Sequence, residues 1–168
     1  MEIVPGVHQV DGLRMANVFL IVDQGITVVD TGTKWAGKKI LGYIERLGRS
    51  PSEVERIILT HHHFDHTGSL SFLRTKTGAR SAAHPNDAGV IEGKEKPPLN
   101  MPAVARALYA LIGLLMNDRG SGIDTRLLGG EVIDTLGGLH VVYTPGHTAG
   151  SISLLLKEKG VLFVGDAI

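Results

Sequence analysis

Four histidines and an aspartate fall within residues 61–66, in the stretch Thr60-His61-His62-His63-Phe64-Asp65-His66-Thr67-Gly68-Ser69. The run follows Ile57-Ile58-Leu59, which reads as a short buried strand, and precedes Ser69-Leu70-Ser71-Phe72-Leu73, which reads as the first turns of a helix. Neutral imidazole nitrogens beside a hard carboxylate oxygen form the ligand set that Zn²⁺, Fe²⁺ and Mn²⁺ accept. In a turn leaving a strand, His61 and His63 face one side and His62 faces away, so the first two can clasp one ion. Asp65 and His66 come from the next bend and can reach a second. A histidine run of the affinity-tag kind would sit at a terminus, whereas this one lies between two predicted elements.

The 168 residues suit a single domain with one hydrophobic core, spanning 1–168. Seventeen basic and 17 acidic residues cancel, so no whole-chain field favours nucleic acid or an anionic membrane surface. There are no cysteines, which excludes disulfides, thiolate ligands and a cysteine nucleophile. The first residues show no basic stretch leading into an apolar one, and a cytoplasmic location is the expectation.

Strands are predicted over residues 7–10, 18–22 and 26–30, an antiparallel meander that ends on Asp30-Thr31-Gly32. Asp30 thus lies on a strand-end rim, either as a turn or capping residue or as part of a site. Residues 38–47 carry Ile40, Leu41, Ile44 and Leu47 at helical spacing, with Gly48 as the stop. Ser50-Pro51-Ser52-Glu53 has a cap, a first-turn proline and an acidic residue, and leads into the strand at Ile57. A helix running to about Gly78, a strand over 79–83 and a loop over 92–98 follow. Residues 101–116 form an apolar helix candidate within a helical insertion at about 92–124. It could pack on the domain, act as a lid or pocket wall, or rest on a membrane surface, but it is short for a membrane span and Arg106 interrupts it. Four late strands are predicted at 131–133, 139–143, 151–156 and 161–164.

Two more polar points stand at the ends of these late strands. Tyr143-Thr144-Pro145-Gly146-His147-Thr148 carries a histidine after a rigid turn, and Phe163-Val164-Gly165-Asp166 carries a carboxylate after a buried run. Each alone reads as structural. Together with the first cluster, they supply His61, His63, Asp65, His66, His147 and Asp166 from three strand ends.

With Asp30-Thr31-Gly32, Thr-His-x-His-x-Asp-His at 60–66, Thr-Pro-Gly-His-Thr-x-Gly-Ser at 144–151 and Gly165-Asp166 in this order, the chain resembles the metallo-β-lactamase-fold hydrolase superfamily. The resemblance implies an α/β fold, an αβ/βα sandwich of two mixed sheets with helices outside. It implies one metal on His61, His63 and His147, and a second on Asp65 and His66, with Asp166 bridging. Family members usually supply a last histidine to the second metal after a further helix and strand. No histidine follows His147 here, so the second position is expected to bind more weakly, and a homo-oligomer is expected to cover the exposed C-terminal strand.

The implied activity is a metal-dependent hydrolase, with one or two Zn²⁺ ions (iron or manganese being possible) generating hydroxide that attacks an ester, thioester, lactone or amide carbonyl of a small-molecule substrate. Asp65 would also relay a proton to the leaving group, and Asp30 would orient a ligand from behind. Two rivals stand beside this reading. One is a persulfide dioxygenase with a single iron on His61, His147 and Asp166. The other is a non-catalytic, metal-stabilised domain that acts by assembly.

Overall fold

The structure, a computed structural model, describes residues 1–98, 102, 104, 107, 108, 111–113 and 120–167. Seven strands form the first sheet in sequence order: β1 (Glu2–Val4), β2 (Val7–Gln9), β3 (Phe19–Val22), β4 (Ile26–Val29), β5 (Val54–Ile58), β6 (Arg80–Ala83) and β7 (Thr125–Arg126). The predicted meander holds through β4, since β1 to β4 pair antiparallel. From β4 onward the pairing turns parallel, because helical crossovers carry the chain back each time. The second sheet is antiparallel, in the order β11-β10-β9-β8, with β8 (Val132–Ile133), β9 (Leu139–Tyr143), β10 (Ile152–Leu156) and β11 (Val161–Phe163).

Alternation along the central strands divides the core in two. Leu20, Ile26, Val28, Val54 and Ile57 join the helices α1 (Ala36–Arg46), α3 (Leu70–Thr77) and α4 (Pro85–Ile91), which contribute Ile40, Ile44, Leu70, Leu73, Ala88 and Ile91. Ile21, Val29 and Ile58, one residue out of phase, pack instead against Leu139, Val141, Ile152, Leu154 and Phe163 of the second sheet. The result is a helix layer, a sheet and a second sheet. This accounts for the four fully buried positions of β4, a strand covered on both faces. Both the parallel strands of the first sheet and the strands of the second direct their ends to one edge, where the polar loops collect.

The segment at 50–53 shows how local sequence sets the approach to β5. Ser50 and Glu53 form a reciprocal capping box around a single 3₁₀ turn, Pro51–Glu53. Glu53 also receives Arg49, whose guanidinium donates to the Asp23 and Gln24 carbonyls and so ties this turn to the β3–β4 hairpin. Ser50→Ala is expected to cost about 1 kcal/mol and lower the melting temperature by a few degrees. Thermal denaturation of that variant checks it.

Five of the described elements lie outside the predictions: β1, the single-turn helix α2 (Phe64–Thr67), α4, β7 and the 3₁₀ turn Lys157–Lys159. The predicted helix at 101–116 falls largely outside the described residues. Of those described within it, 104, 107, 108 and 111–113 are helical and Pro102 is not, and Val104, Leu108 and Leu111 are exposed. No described helix is long and apolar enough to cross a membrane.

Candidate metal centre

Each polar loop begins where a buried strand runs out. After Leu59 the chain bends through Thr60 and His61, and the two neighbouring rings part, His61 lying against Thr60 and His62 against Asp87. His63, extended, is the residue preceding α2, and the one-turn helix sets Asp65 and His66 on its first turn, rather than on an irregular bend. The His66 and Thr67 amides close that turn onto the His63 carbonyl.

Asp30 is the fixed point beneath these ligands. It is 3% exposed, and its φ of 61° is left-handed, a conformation that aspartate tolerates better than most residues. Its Oδ1 accepts the Thr60 amide at 2.8 Å, and its Oδ2 accepts the Thr60 hydroxyl at 2.8 Å and lies 2.8 Å from His66 Nδ1. A carboxylate only accepts, so His66 carries its proton on Nδ1. The Thr60 hydroxyl has a single proton, already given to Asp30, so at 3.0 Å it accepts from His61 Nδ1. Both imidazoles are thereby turned with Nε2 toward the loop edge.

Those Nε2 atoms are the clearest sign of a metal-ligating role. Among the described residues, His61 Nε2 is buried without a hydrogen-bond partner, and so is His66 Nε2, which has Asp166 Oδ1 at 3.1 Å but out of line for a hydrogen bond. Buried imidazole nitrogens left bare in this way are costly unless an ion or a proton takes up their lone pairs. His61, His63, His147 and Asp166 offer ligand atoms that all lie within 4.8 Å of one another, a spacing that suits a single ion. His63 Nδ1 and His147 Nε2 are 2.9 Å apart, and Asp166 Oδ2 is 3.6 Å from His147 Nε2. The donor set therefore fits a divalent first-row ion. His66 joins the same carboxylate from the other side, and Asp65 is outside the four-residue group.

Charge follows the same division. Burial, reinforced by the neighbouring imidazoles His66, His63 and His147, pushes His61 down to about 2, and burial with His62 and His147 pushes His63 down to about 4. Both are held neutral, the form that ligates. Burial also opposes charge on His66, yet the Asp30 carboxylate, with Asp166 and Asp65, overrides it and raises His66 to about 9. In the metal-free protein, His66 is an imidazolium between two carboxylates, and an ion at its position must displace that proton.

Gly165 lets the Asp166 loop lie over this network. Its φ is +56°, and a Cβ there would fall 2.6 Å from Thr60 Oγ1. A cleft of about 150 Å³ opens beside His66 and Asp166, lined also by Asn17, Asp30, Thr60 and Phe163.

Asp87, on α4, had no place among the predicted residues. It is 1% exposed and accepts the His62 amide at 2.9 Å, the Thr148 hydroxyl at 2.7 Å and the Gly150 amide at 2.8 Å. His62 Nδ1 lies 3.1 Å from the same carboxylate, which gives the residue that faces away from the cluster its own setting. The signal was present in His84-Pro85-Asn86-Asp87, a capping residue, a first-turn proline and an acidic first turn, the same pattern as at 50–53.

Comparisons with known proteins bear on the family and the fold. A family model described as the metallo-beta-lactamase superfamily matches residues 11–168. A probable metallo-hydrolase of Bacillus subtilis is 26% identical over 177 residues, covering 99% of this chain and 66% of its own length. A hydroxyacylglutathione hydrolase of Shewanella pealeana is 31% identical over 144 residues, or 86% of this chain and 42% of its own. Among solved structures, a metallo-beta-lactamase of Cronobacter sakazakii superposes with a TM-score of 0.77 at 25% identity, covering 92% of this chain and 56% of that one. The chain thus spans between about two fifths and two thirds of the length of these proteins.

Proposed function

Because the chain belongs to the metallo-beta-lactamase superfamily, we propose that it is a metal-dependent hydrolase that cleaves an ester, thioester, lactone or amide carbonyl. The observation that carries this reading is the bare, buried Nε2 of His61, gathered with His63, His147 and Asp166 within 4.8 Å. His61, His63, His147 and Asp166 would hold a first ion, and His66 and Asp65 would offer a second, weaker position. Zinc is the preferred ion, since three imidazoles and a carboxylate are ligands it accepts readily. When bound, such an ion lowers the pKa of a coordinated water toward neutrality and polarises a carbonyl oxygen.

The protein's own groups set the geometry for that chemistry. Thr60 and Asp30 lock the tautomers and ring directions of His61 and His66, which keeps both Nε2 atoms aimed at the loop edge. Asp65, on the first turn of α2, is the candidate to carry a proton to the leaving group. The cleft beside His66 and Asp166 receives the substrate. Hydroxyacylglutathione and a β-lactam, which the names of the relatives suggest, belong on a panel with simple esters and lactones. Zinc-loaded protein is expected to hydrolyse at least one of them, with loss of turnover in His61→Ala. A panel on which wild type and His61→Ala are equally inert sinks the catalytic reading.

Self-association is part of the same proposal. Val132, Val142 and Leu162 are exposed on the second sheet, an apolar surface that a second copy could cover. Light scattering that gives a monomer of 17.9 kDa at working concentration counts against it.

A further inference from the structure

We propose that Asp87 is the positioning residue that sets the distance between the two loops carrying the histidine ligands of the first ion. The inference rests on the metal-centre reading above and goes beyond it, because Asp87 is outside the group of clustered ligand residues. His61 and His63 come from the loop after β5, and His147 comes from the loop between β9 and β10. Those loops are far apart in sequence, and their ligands must close on one point.

Asp87 is bonded to both. One carboxylate oxygen, Oδ2, accepts the His62 amide, the peptide between the two ligands of the first loop, and also the Thr148 hydroxyl, next to the third ligand. The other, Oδ1, accepts the Gly150 amide at 2.8 Å. Thr148 is held in turn by Ser151, whose Oγ accepts the Thr148 amide at 3.0 Å. Direct backbone contact between the loops is sparse here, the Ile152 amide to the Thr60 carbonyl being the sheet-end link. Asp87 therefore spans the gap beyond that link, on the side away from the ligands.

Its own place is rigid. Asp87 sits in the first turn of α4, its amide donating to the His84 carbonyl, and the neighbouring Asn86 donates to the Ala149 carbonyl. The fit at Gly150 is tight: a Cβ added there would fall 2.6 Å from Asp87 Cγ, so the approach requires glycine in the Thr-x-Gly-Ser segment. Burial opposes the carboxylate, but hydrogen bonds from His62 and Thr148 hold its pKa below the usual range, so it accepts from both loops throughout the neutral range.

Removing this clamp frees His147 relative to His61 and His63 while leaving every ligand in place. The test is zinc affinity of the full chain by chelator competition, with the visible absorption of cobalt-substituted protein as a second readout of coordination. Asp87→Ala is expected to bind zinc about 10-fold to 100-fold more weakly and to show an altered cobalt spectrum. Asp87→Asn keeps one acceptor oxygen but turns an amide N–H₂ toward a donor, and is expected to fall between wild type and Asp87→Ala. It also keeps the question decidable if Asp87→Ala does not fold. Ser50→Ala, which loses stability far from both loops, should keep wild-type affinity and spectrum. Wild-type zinc affinity in Asp87→Ala or Asp87→Asn overturns the inference alone, as does equal weakening in Ser50→Ala. Wild type that takes up no zinc or cobalt overturns the metal reading beneath it.

Discussion

Asp30→Ala is expected to lower the stability of the metal-free protein by about 4 kcal/mol, a melting shift of roughly 10 °C for a chain of this size. The substitution removes the acceptor of three donors at once: the Thr60 amide, the Thr60 hydroxyl and His66 Nδ1. All three are buried, so water does not replace the carboxylate. It also leaves an alanine at a φ of 61°, a left-handed conformation that aspartate tolerates better because its side chain can hydrogen-bond locally. Asp30→Asn should lose less, because asparagine tolerates that backbone and keeps one acceptor. Zinc affinity should fall in both variants, since the Thr60 hydroxyl no longer has a fixed partner and the His61 ring loses its orientation. Chemical denaturation with and without zinc measures each effect, and a loss below about 1 kcal/mol in Asp30→Ala would show that the network is not a support.

The metal-free protein is also expected to be most stable near pH 6.5 and to weaken on both sides. His61 and His63 have folded pKa values depressed to about 2 and about 4. Their unfolded counterparts take up protons below about 6.5, while the folded protein does not. Stability from these groups is complete above that value and falls as the pH drops, at about 1.4 kcal/mol per pH unit for His61 alone. His66 acts in the opposite direction. Its folded pKa of about 9 contributes stability that is complete below about 6.5 and is lost as the pH rises through 9. Urea denaturation of chelator-treated protein between pH 5 and 9 reads the curve. In Asp30→Ala the alkaline limb should flatten, because His66 loses the carboxylate that raises it. A profile that is flat from pH 5 to 7 would show that His61 is not held neutral by the fold. In the zinc-loaded protein, the acid limb should coincide with metal release, since protons and the ion compete for the same imidazole nitrogens.

Much of this site was legible in the sequence because strand-end residues have few conformations available. The alternation expected over Thr60 to His63 parted His62 from its neighbours, although the chain bends there, and the Pro-Gly turn before His147 and the Gly165-Asp166 pair were visible as strand-end punctuation. The parallel pairing of β4 to β7 was not legible, since a short all-apolar run such as Ile57-Ile58-Leu59 does not state the direction of its partner. Nor was α4, which at seven residues is too short to display a helical period and is marked only by its cap and proline. Missing α4 meant missing Asp87, whose partners are 25, 61 and 63 residues away along the chain. Asp30 was expected to orient a ligand from behind, but not by which contacts. Its three acceptor contacts depend on β4 and β5 lying side by side, a relation carried by the tertiary structure.

The central claim is that these loops build a metal centre, and metal content with stoichiometry on protein purified without chelator tests it most directly. The account predicts about one tightly held zinc per chain, with a second retained only at higher zinc concentration, and loss of the first in His61→Ala. A wild-type protein that retains no first-row metal, or a His61→Ala variant that retains as much as wild type, would contradict it.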